Sequence, residues 1–147
     1  MAKRRPIKIG QHKLGGRELL FILGPCFIET PAFTRRMADR IKKICDGEGA
    51  AFVFKASYDK ANRTSSKSFR GTSVRDGCAL LAEIGAAIEA PVTTDVHSPE
   101  EAAIAAEFVD VLQIPAFLCR QTDLIVAAAQ TRRVGTAHDR SVRRSFP

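Results

Sequence analysis

The chemically richest segment of the chain is a polar loop that directly follows a short apolar run. Between Phe54 and Lys67 the sequence places three lysines, one arginine, one asparagine and four aliphatic hydroxyl side chains. Ammonium and guanidinium groups bind phosphates and carboxylates, while hydroxyl and amide groups bind the remaining oxygens. This composition is typical either of a site for a small phosphorylated molecule or of a solvated surface loop.

Lys55 comes first in this segment, directly after an apolar run that predicts a strand. We therefore expect its ammonium at the rim of a sheet, partly desolvated and able to meet a carboxylate or a phosphate. Lys60 adds a second cation, and Arg63 adds a planar fork suited to bidentate phosphate binding. The side chains expected to hydrogen-bond hydroxyls or phosphate oxygens are Ser57, Asn62, Thr64 and Ser65.

Three further residues lie where a predicted strand ends. Asp95 and His97 could orient a sugar hydroxyl or relay a proton, since histidine titrates near neutrality. Asp95 could equally cap or turn the chain before the next helix. Cys26 has no C-x-x-C partner, so spacing alone favours a structural thiol. Cys45 and Cys78 occupy apolar positions of helical patterns and are expected to be buried.

The elements that must position these residues follow a repeated strand-then-helix pattern. Short apolar runs predict strands at 19–23, 51–54, 91–94 and 109–113, the first of them buried on both faces. Hydroxyl N-caps, two of them followed by proline, predict helices that start at Thr30, Ser73 and Ser98, and a fourth helix covers 122–130. Such βα units indicate a parallel sheet, either open and doubly wound or closed as a barrel.

Polar groups follow all four predicted strands at their carboxyl ends. They are Gly24 to Cys26, Lys55 to Ser57, Asp95 to His97, and Gln113 to Pro115. In parallel α/β folds ligands bind at this edge of the sheet. The sequence therefore predicts one mouth that collects these groups.

Composition restricts the class of protein. The chain has 147 residues, 45% hydrophobic and 27% charged, which fits one globular domain with a core of its own. No apolar stretch approaches the roughly 20 residues that span a bilayer, and no secretion signal is visible, so we expect a cytoplasmic protein without membrane contact. The net charge of +7 comes from the two ends, since residues 19–131 sum to −2. With no Trp and one Tyr, a nucleic-acid surface is not favoured, and no nucleotide-binding glycine motif occurs.

Several long motifs resemble one enzyme family. They are FKASYDKANRTS from Phe54, SFRG from Ser68, TDVH from Thr94 and VDVLQIPAFLCRQTDL from Val109. Together they are similar to 3-deoxy-D-manno-octulosonate 8-phosphate (Kdo-8-phosphate) synthase, also called 2-dehydro-3-deoxyphosphooctonate aldolase, over residues 18–131. The resemblance implies a (β/α)8 TIM barrel that condenses phosphoenolpyruvate with D-arabinose 5-phosphate and releases phosphate, in Kdo and lipopolysaccharide biosynthesis.

The resemblance also implies roles for the matching residues. Ligands of phosphoenolpyruvate would be Lys55, Ser57, Lys60 and Gln113, and the arabinose 5-phosphate site would include Asn62, Arg63 and Thr64. Pro115 lies in the same motif, and Arg120 resembles an arginine that reaches the sugar phosphate of a neighbouring subunit in a homo-oligomer. Cys26 matches the cysteine of the metal-dependent branch, which implies a divalent metal there.

The chain departs from the family pattern at its end. Residues 132–147 match nothing in the family, and their mostly Arg, Ser and Thr composition favours a disordered basic tail or an out-of-frame translation. We expect three parts: a basic segment 1–17 that could form a hairpin capping the barrel, about four βα units (half a barrel) over 18–131, and the tail. The absent half would hold another lysine, an arginine, and the His, Glu and Asp of the metal site. We therefore expect little activity and no tight metal binding from this chain alone, the alternative being a non-catalytic remnant or interaction fragment.

Overall fold

A computed structural model describes residues 7–14, 19–59 and 72–137 of the chain. The strands are β1 (Ile7–Ile9), β2 (His12–Leu14), β3 (Leu20–Leu23), β4 (Ala51–Lys55), β5 (Val92–Asp95), β6 (Val111–Ile114) and β7 (Val134–Ala137). The helices are α1 (Pro31–Glu48), α2 (Val74–Ala87), α3 (Pro99–Ala105) and α4 (Thr122–Gln130), with a short 3-10 turn at Ala116–Leu118. None of these helices is long and apolar enough to cross a membrane.

The main sheet is parallel and its strands follow one another in chain order, β3-β4-β5-β6-β7. Side chains on one face of the strands join a core that includes residues of all four helices, such as Ala38, Leu81, Ala102 and Leu124. In an open doubly wound sheet the strand order reverses part-way along the chain, and helices cover both faces of the sheet. Sequential order with helices on one face is the arrangement of a (β/α)8 barrel, here represented by a five-stranded arc.

The opposite face of the sheet, which would line the barrel, is covered at its lower end by the N-terminal hairpin. Strands β1 and β2 pair antiparallel, and Ile9 packs with Val53 and Val111 in a second, smaller cluster. All three side chains are almost fully buried. Residues 7–14 of the basic segment thus form a hairpin, and its residue Ile9 covers the amino-terminal end of this inner face.

The predicted helix starts are confirmed by their caps. The side chains of Thr30, Ser73 and Ser98 each accept a hydrogen bond from the backbone N–H three residues later. These bonds satisfy amides that the first helical turn leaves without partners. Helix α1 ends at Gly49, whose φ of 62° is a left-handed conformation that glycine adopts without steric cost.

Strand β3 differs from the sequence expectation of a strand buried on both faces. Phe21 and Ile22 are each 43% exposed, although they point to opposite faces. The reason is position, because β3 is an edge strand with a neighbour, β4, on one side only among the described residues. A wholly apolar run predicts burial, but burial on both faces requires sheet neighbours and covering helices that the sequence pattern cannot count.

Strand β7 lies within the segment that the sequence assigned to a disordered tail from residue 132. Val134–Ala137 pairs in parallel with β6 over four residues. Val134 packs against the inner cluster, so two alternating residues of the strand, Val134 and Thr136, face the barrel interior. The regular part of the chain thus extends to Ala137, and residues 138–147 lie outside the described ranges.

Candidate functional site

Three predicted site residues meet at the carboxyl ends of β4 and β5. Lys55 Nζ lies 3.0 Å from Asp95 Oδ2 and donates a hydrogen bond of 2.9 Å to Ser57 Oγ. The Ser57 hydroxyl donates in turn to the same Asp95 oxygen. The Lys55 and Asp95 side chains are 18% and 16% exposed to solvent. Lys55, Ser57 and Asp95, called the Lys55 cluster below, are therefore largely withdrawn from water but still accessible at the rim.

Strand register explains why these residues meet. Lys55 lies beside Thr93, and the next inward-facing residue of β5 is Asp95. A backbone bond of 3.0 Å from the Ile28 amide to the Ser57 carbonyl fixes the segment after β4. Gly24 permits the close approach of β3, since a Cβ there would lie 1.9 Å from the Lys55 carbonyl oxygen. The contact of Asp95 with Lys55 favours the chemical interpretation of Asp95 over the capping one, because Ser98 caps the helix.

Gln113 lies next to the Lys55 cluster on the inner face. It pairs in register with Asp95 on one side and with Thr136 on the other, and it is 5% exposed. The hydroxyl of Thr136 is buried with no hydrogen-bond partner in the structure. Pro115 follows at the end of β6 and begins the 3-10 turn. The inner face therefore presents a row of polar side chains along its carboxyl edge.

A second group of polar side chains, called the Glu101 cluster below, is formed by Tyr58, His97 and Glu101. The Tyr58 hydroxyl donates a 2.7 Å bond to Glu101 Oε2. His97 Nδ1 lies 3.3 Å from the same oxygen and 3.5 Å from the Tyr58 hydroxyl. Tyr58 is 2% exposed, and burial, together with its bond to Glu101, raises the pKa of its phenol far above the ordinary value. Tyr58 is therefore a permanent donor at neutral pH.

The sequence did not assign Tyr58 or Glu101 to the site. Glu101 lies at the capping-box position of α3, three residues after the N-cap Ser98, and its side chain accepts a backbone amide bond of 2.9 Å. The donor is His97, one residue before the N-cap, rather than Ser98 itself. That shift of one residue brings the Glu101 carboxylate against the histidine, and no local pattern distinguishes the two arrangements.

Two predicted residues lie apart from these clusters. Arg120 is exposed in the turn before α4, and the contacts of the described residues do not join it to Lys55 or Asp95. Cys26 is exposed after β3, and the described residues contain no group of three His, Cys, Asp or Glu side chains that could hold a metal ion. One thiolate does not make a metal site, so the residues described do not fit a bound metal, and the role of Cys26 stays a prediction.

Five predicted residues fall in the part of the loop that lies outside the described ranges. They are Lys60, Asn62, Arg63, Thr64 and Ser65. Their predicted roles stay predictions. The described chain stops at Asp59 and resumes at Thr72.

A cavity of about 670 Å³ lies at the opposite end of the strands. It is formed between the hairpin, α1 and α2, with Gly10, Asp46, Phe52 and Pro91 among its lining residues. In barrel folds the amino-terminal end of the strands serves stability, and the carboxyl end carries the chemistry. We therefore place the candidate site at the Lys55 cluster, which lies at the carboxyl edge.

The arrangement of the Lys55 cluster suits anion binding. An ammonium fixed by a carboxylate and a hydroxyl is already oriented, so it loses little side-chain entropy when it meets a phosphate or carboxylate. Histidine and a buried phenol close by add groups that can hold or transfer a proton. This combination fits a small phosphorylated acid better than a nucleic acid or an apolar ligand.

Comparisons with known proteins identify relatives of the chain. The chain is 53% identical over 131 residues to a 2-dehydro-3-deoxyphosphooctonate aldolase of Geobacter sp. (strain M21), which covers 88% of this chain and 48% of the relative. The corresponding protein of Koribacter versatilis (strain Ellin345) is 51% identical, with 88% and 46% covered. That of Cyanothece sp. (strain PCC 7425) is 56% identical, with 81% and 44% covered. The chain thus spans about half the length of the curated relatives it matches.

A family model matches almost the whole of the described chain. It is the model of the DAHP synthetase I family, and the match covers residues 3–135, which includes strand β7 as far as Gly135. The expected resemblance is confirmed by this match and by the names of the relatives. The chain belongs to the DAHP synthetase I family.

Proposed function

We propose that this chain carries part of the active site for condensing phosphoenolpyruvate with D-arabinose 5-phosphate to 3-deoxy-D-manno-octulosonate 8-phosphate, with release of phosphate. The observation that carries the proposal is the Lys55 cluster at the carboxyl edge of the sheet. The names of relatives more than 50% identical support the choice of reaction.

Phosphoenolpyruvate is the substrate that we assign to the Lys55 cluster. It brings a carboxylate and a phosphate, and Lys55 offers a partly desolvated ammonium to one of them. Ser57, two residues after Lys55, accepts a bond from that ammonium, and Gln113 on β6 pairs in register with Asp95, so both are placed to offer hydrogen bonds. Lys60 is proposed as the second cation. Asp95 balances the Lys55 charge and holds the ammonium in place, so little reorganisation is needed when the anion binds.

Arabinose 5-phosphate is assigned to the neighbouring loop. Asn62, Arg63 and Thr64 are proposed to bind it, and Arg120 is proposed to act across a subunit boundary in a homo-oligomer. In the proposed reaction the enol carbon attacks the sugar aldehyde, and water adds to the oxocarbenium-like centre before phosphate leaves. Cationic side chains near both phosphates would reduce the repulsion between the two anionic substrates as they approach.

The chain alone is proposed to bind but not to turn over its substrates. It spans about half the length of its relatives, and the described residues supply no metal site. The condensation catalysed by the complete site is proposed to take place in the cytoplasm, where both phosphorylated substrates would be used. Phosphate release from the two substrates by the purified 147-residue chain would contradict this part of the proposal.

A second candidate function is an interaction fragment without catalysis. Its support is the apolar exposure of edge strand β3, where Leu19 is 74% exposed and Phe21 and Ile22 are each 43% exposed. Exposed apolar edges promote association with other chains. A fragment of this kind would show self-association but no saturable binding of phosphoenolpyruvate.

Isothermal titration with phosphoenolpyruvate separates the two candidates. We expect saturable binding by the wild-type chain and a loss of about 10- to 100-fold in affinity for K55M, because a charge-assisted hydrogen bond contributes roughly 1.5–3 kcal/mol. K43M is the matched control, since Lys43 is exposed on α1. Equal binding by K55M and K43M would remove Lys55 from the proposed site, whereas a wild-type chain without saturable binding would favour the interaction fragment.

A further inference from the structure

The Glu101 cluster has an unusual concentration of donors on one carboxylate oxygen. Glu101 Oε2 accepts a bond of 2.7 Å from the Tyr58 hydroxyl and one of 2.9 Å from the His97 backbone amide. His97 Nδ1 is the third group at this oxygen, at 3.3 Å. An ionised carboxylate can only accept hydrogen bonds, so its 3.3 Å approach to His97 Nδ1 is favourable only when that nitrogen carries a proton.

The Tyr58 oxygen is the second group near His97 Nδ1, and it also favours a proton on that nitrogen. The Tyr58 oxygen lies 3.5 Å from Nδ1, but its single proton is directed to Glu101. Toward the histidine the phenol therefore presents lone pairs. Since burial and Glu101 keep the pKa of Tyr58 well above its ordinary range, this proton remains on the phenol at neutral pH. Both groups facing Nδ1 are thus acceptors.

The ring has little freedom to escape these contacts. The His97 side chain is 15% exposed, and its ring packs edge-on against Tyr58 with centroids 5.8 Å apart and an interplanar angle of 67°. Its backbone amide is bound to the same carboxylate oxygen. Glu101 therefore controls both the main chain and the ring of one residue at the carboxyl edge of the sheet.

We propose that Glu101 is a positioning residue that fixes neutral His97 in the Nδ1–H tautomer and so reserves Nε2 as a hydrogen-bond acceptor. In free histidine the opposite tautomer, with the proton on Nε2, predominates. A histidine tautomer is set by the bond that its other nitrogen makes. An unprotonated Nε2 two residues beyond Asp95 accepts a hydrogen bond or a proton from a hydroxyl, either of water or of a polyhydroxy substrate.

The assignment of a hydroxyl-bearing ligand to His97 Nε2 rests on the proposed function, whereas the tautomer of His97 does not depend on it. The two can fail separately, because the tautomer is read without any substrate and phosphoenolpyruvate binding is read by titration. The proposal also requires no group outside the described residues, since all three members of the Glu101 cluster lie in segments that the structure describes.

Nitrogen-15 NMR of the imidazole rings tests the proposal on the full chain. The sequence contains three histidines, and H12N and H138N variants identify the signals of the other two. At about pH 8.5, roughly two units above the ordinary histidine pKa of about 6.5, a histidine ring in water is neutral. We expect His97 to show a pyrrole-type Nδ1 and a pyridine-type Nε2. A slowly tumbling sample can be measured by the solid-state version of the experiment.

Two alanine variants give a matched comparison. E101A removes the acceptor, so we expect the His97 ring to revert to a majority of the Nε2–H form. E100A removes the adjacent carboxylate of the same helical turn, which is exposed and bonds Ser98 rather than His97, and should leave the wild-type pattern. The wild-type spectrum decides the question even if E101A does not fold. A wild-type His97 with its proton mainly on Nε2, in a folded or an unfolded chain, would overturn the proposal.

Discussion

Removal of the Asp95 carboxylate should leave the Lys55 ammonium without a counter-charge in a largely buried position. At 3.0 Å and an effective dielectric constant of about 20, the attraction between the two charges is roughly 5–6 kcal/mol. Much of this attraction offsets the desolvation of both groups, so the pair itself contributes far less to stability. Loss of one partner is more costly, because the desolvation remains and the attraction is gone.

The expected values follow from burial. Breaking a buried pair by removing one partner costs about 3–5 kcal/mol. Because both side chains keep between 16% and 18% exposure, we expect D95A to lower the free energy of unfolding by about 3 kcal/mol. K55M should cost only about 1–2 kcal/mol, since Asp95 still accepts the Ser57 hydroxyl. In the D95A background, K55M should instead restore about 1–2 kcal/mol, because it removes the stranded charge.

Urea unfolding measures these values in a double-mutant cycle. Tyr58 is the single tyrosine and the chain has no tryptophan, so its fluorescence reports the buried site, and far-ultraviolet circular dichroism reports the helices. The exposed pair Arg75–Glu107, with 56% and 55% exposure, is the control and should couple by less than about 1 kcal/mol. If K55M changes the free energy of unfolding equally with and without Asp95, within about 0.5 kcal/mol, the two charges are independent and the expected coupling is refuted.

Three further predictions concern packing, phenol ionisation and thiol reactivity. A Cβ at Gly85 would lie 2.6 Å from a Val92 methyl carbon, so G85A should destabilise the chain by about 1–3 kcal/mol in urea unfolding. G47A, which meets nothing within 4 Å, should stabilise it by about 0.5–1 kcal/mol, and equal effects of the two changes would contradict the packing. The raised pKa of Tyr58 means that only the unfolded chain loses the phenol proton near the ordinary pKa of about 10, so stability should fall as pH rises above about 10. Phenolate absorbance should then appear together with loss of the circular dichroism signal, and phenolate in a folded chain would disprove it. Burial raises the pKa of the Cys78 thiol to about 12, whereas Cys26 is exposed, so a thiol reagent should label Cys26 in the native chain and Cys78 only after unfolding. Mass spectrometry of the labelled peptides checks this order, and equal rates at the two cysteines would contradict it.

Most secondary-structure elements could be predicted because their signals are local. At Thr30 and Ser98 an N-cap residue followed by proline marks the start of a helix, so the signal occupies only two neighbouring residues. Apolar runs predicted four parallel strands to within two residues at each end. The burial of Cys45 and Cys78 also followed from helical spacing. Such features depend on a few neighbouring residues, so a sequence pattern is sufficient to find them.

Some features of the fold could not be predicted because they depend on neighbours distant in sequence. The apolar run of β3 gave no indication that Phe21 and Ile22 would be exposed at a sheet edge. Val134–Ala137 is too short and too mixed in composition to predict a strand, yet pairing with β6 holds it in the sheet. The βα pattern by itself left open the choice between a barrel and an open doubly wound sheet; the family resemblance implied the barrel, and the observed strand order confirms it.

The sequence by itself determined that polar side chains gather at the carboxyl ends of parallel strands, and its motifs identified the family. Only the tertiary structure decided which of these side chains touch. Ser57 meets Asp95 across 38 positions, and Tyr58 meets Glu101 across 43. Contacts at such separations are set by the register of β4 beside β5 and by the packing of α3, which depend on the burial of whole faces. For this reason the lysine-rich loop and Asp95 were visible as candidates in the sequence, whereas the contacts of Asp95 with Lys55 and of Glu101 with His97 were not.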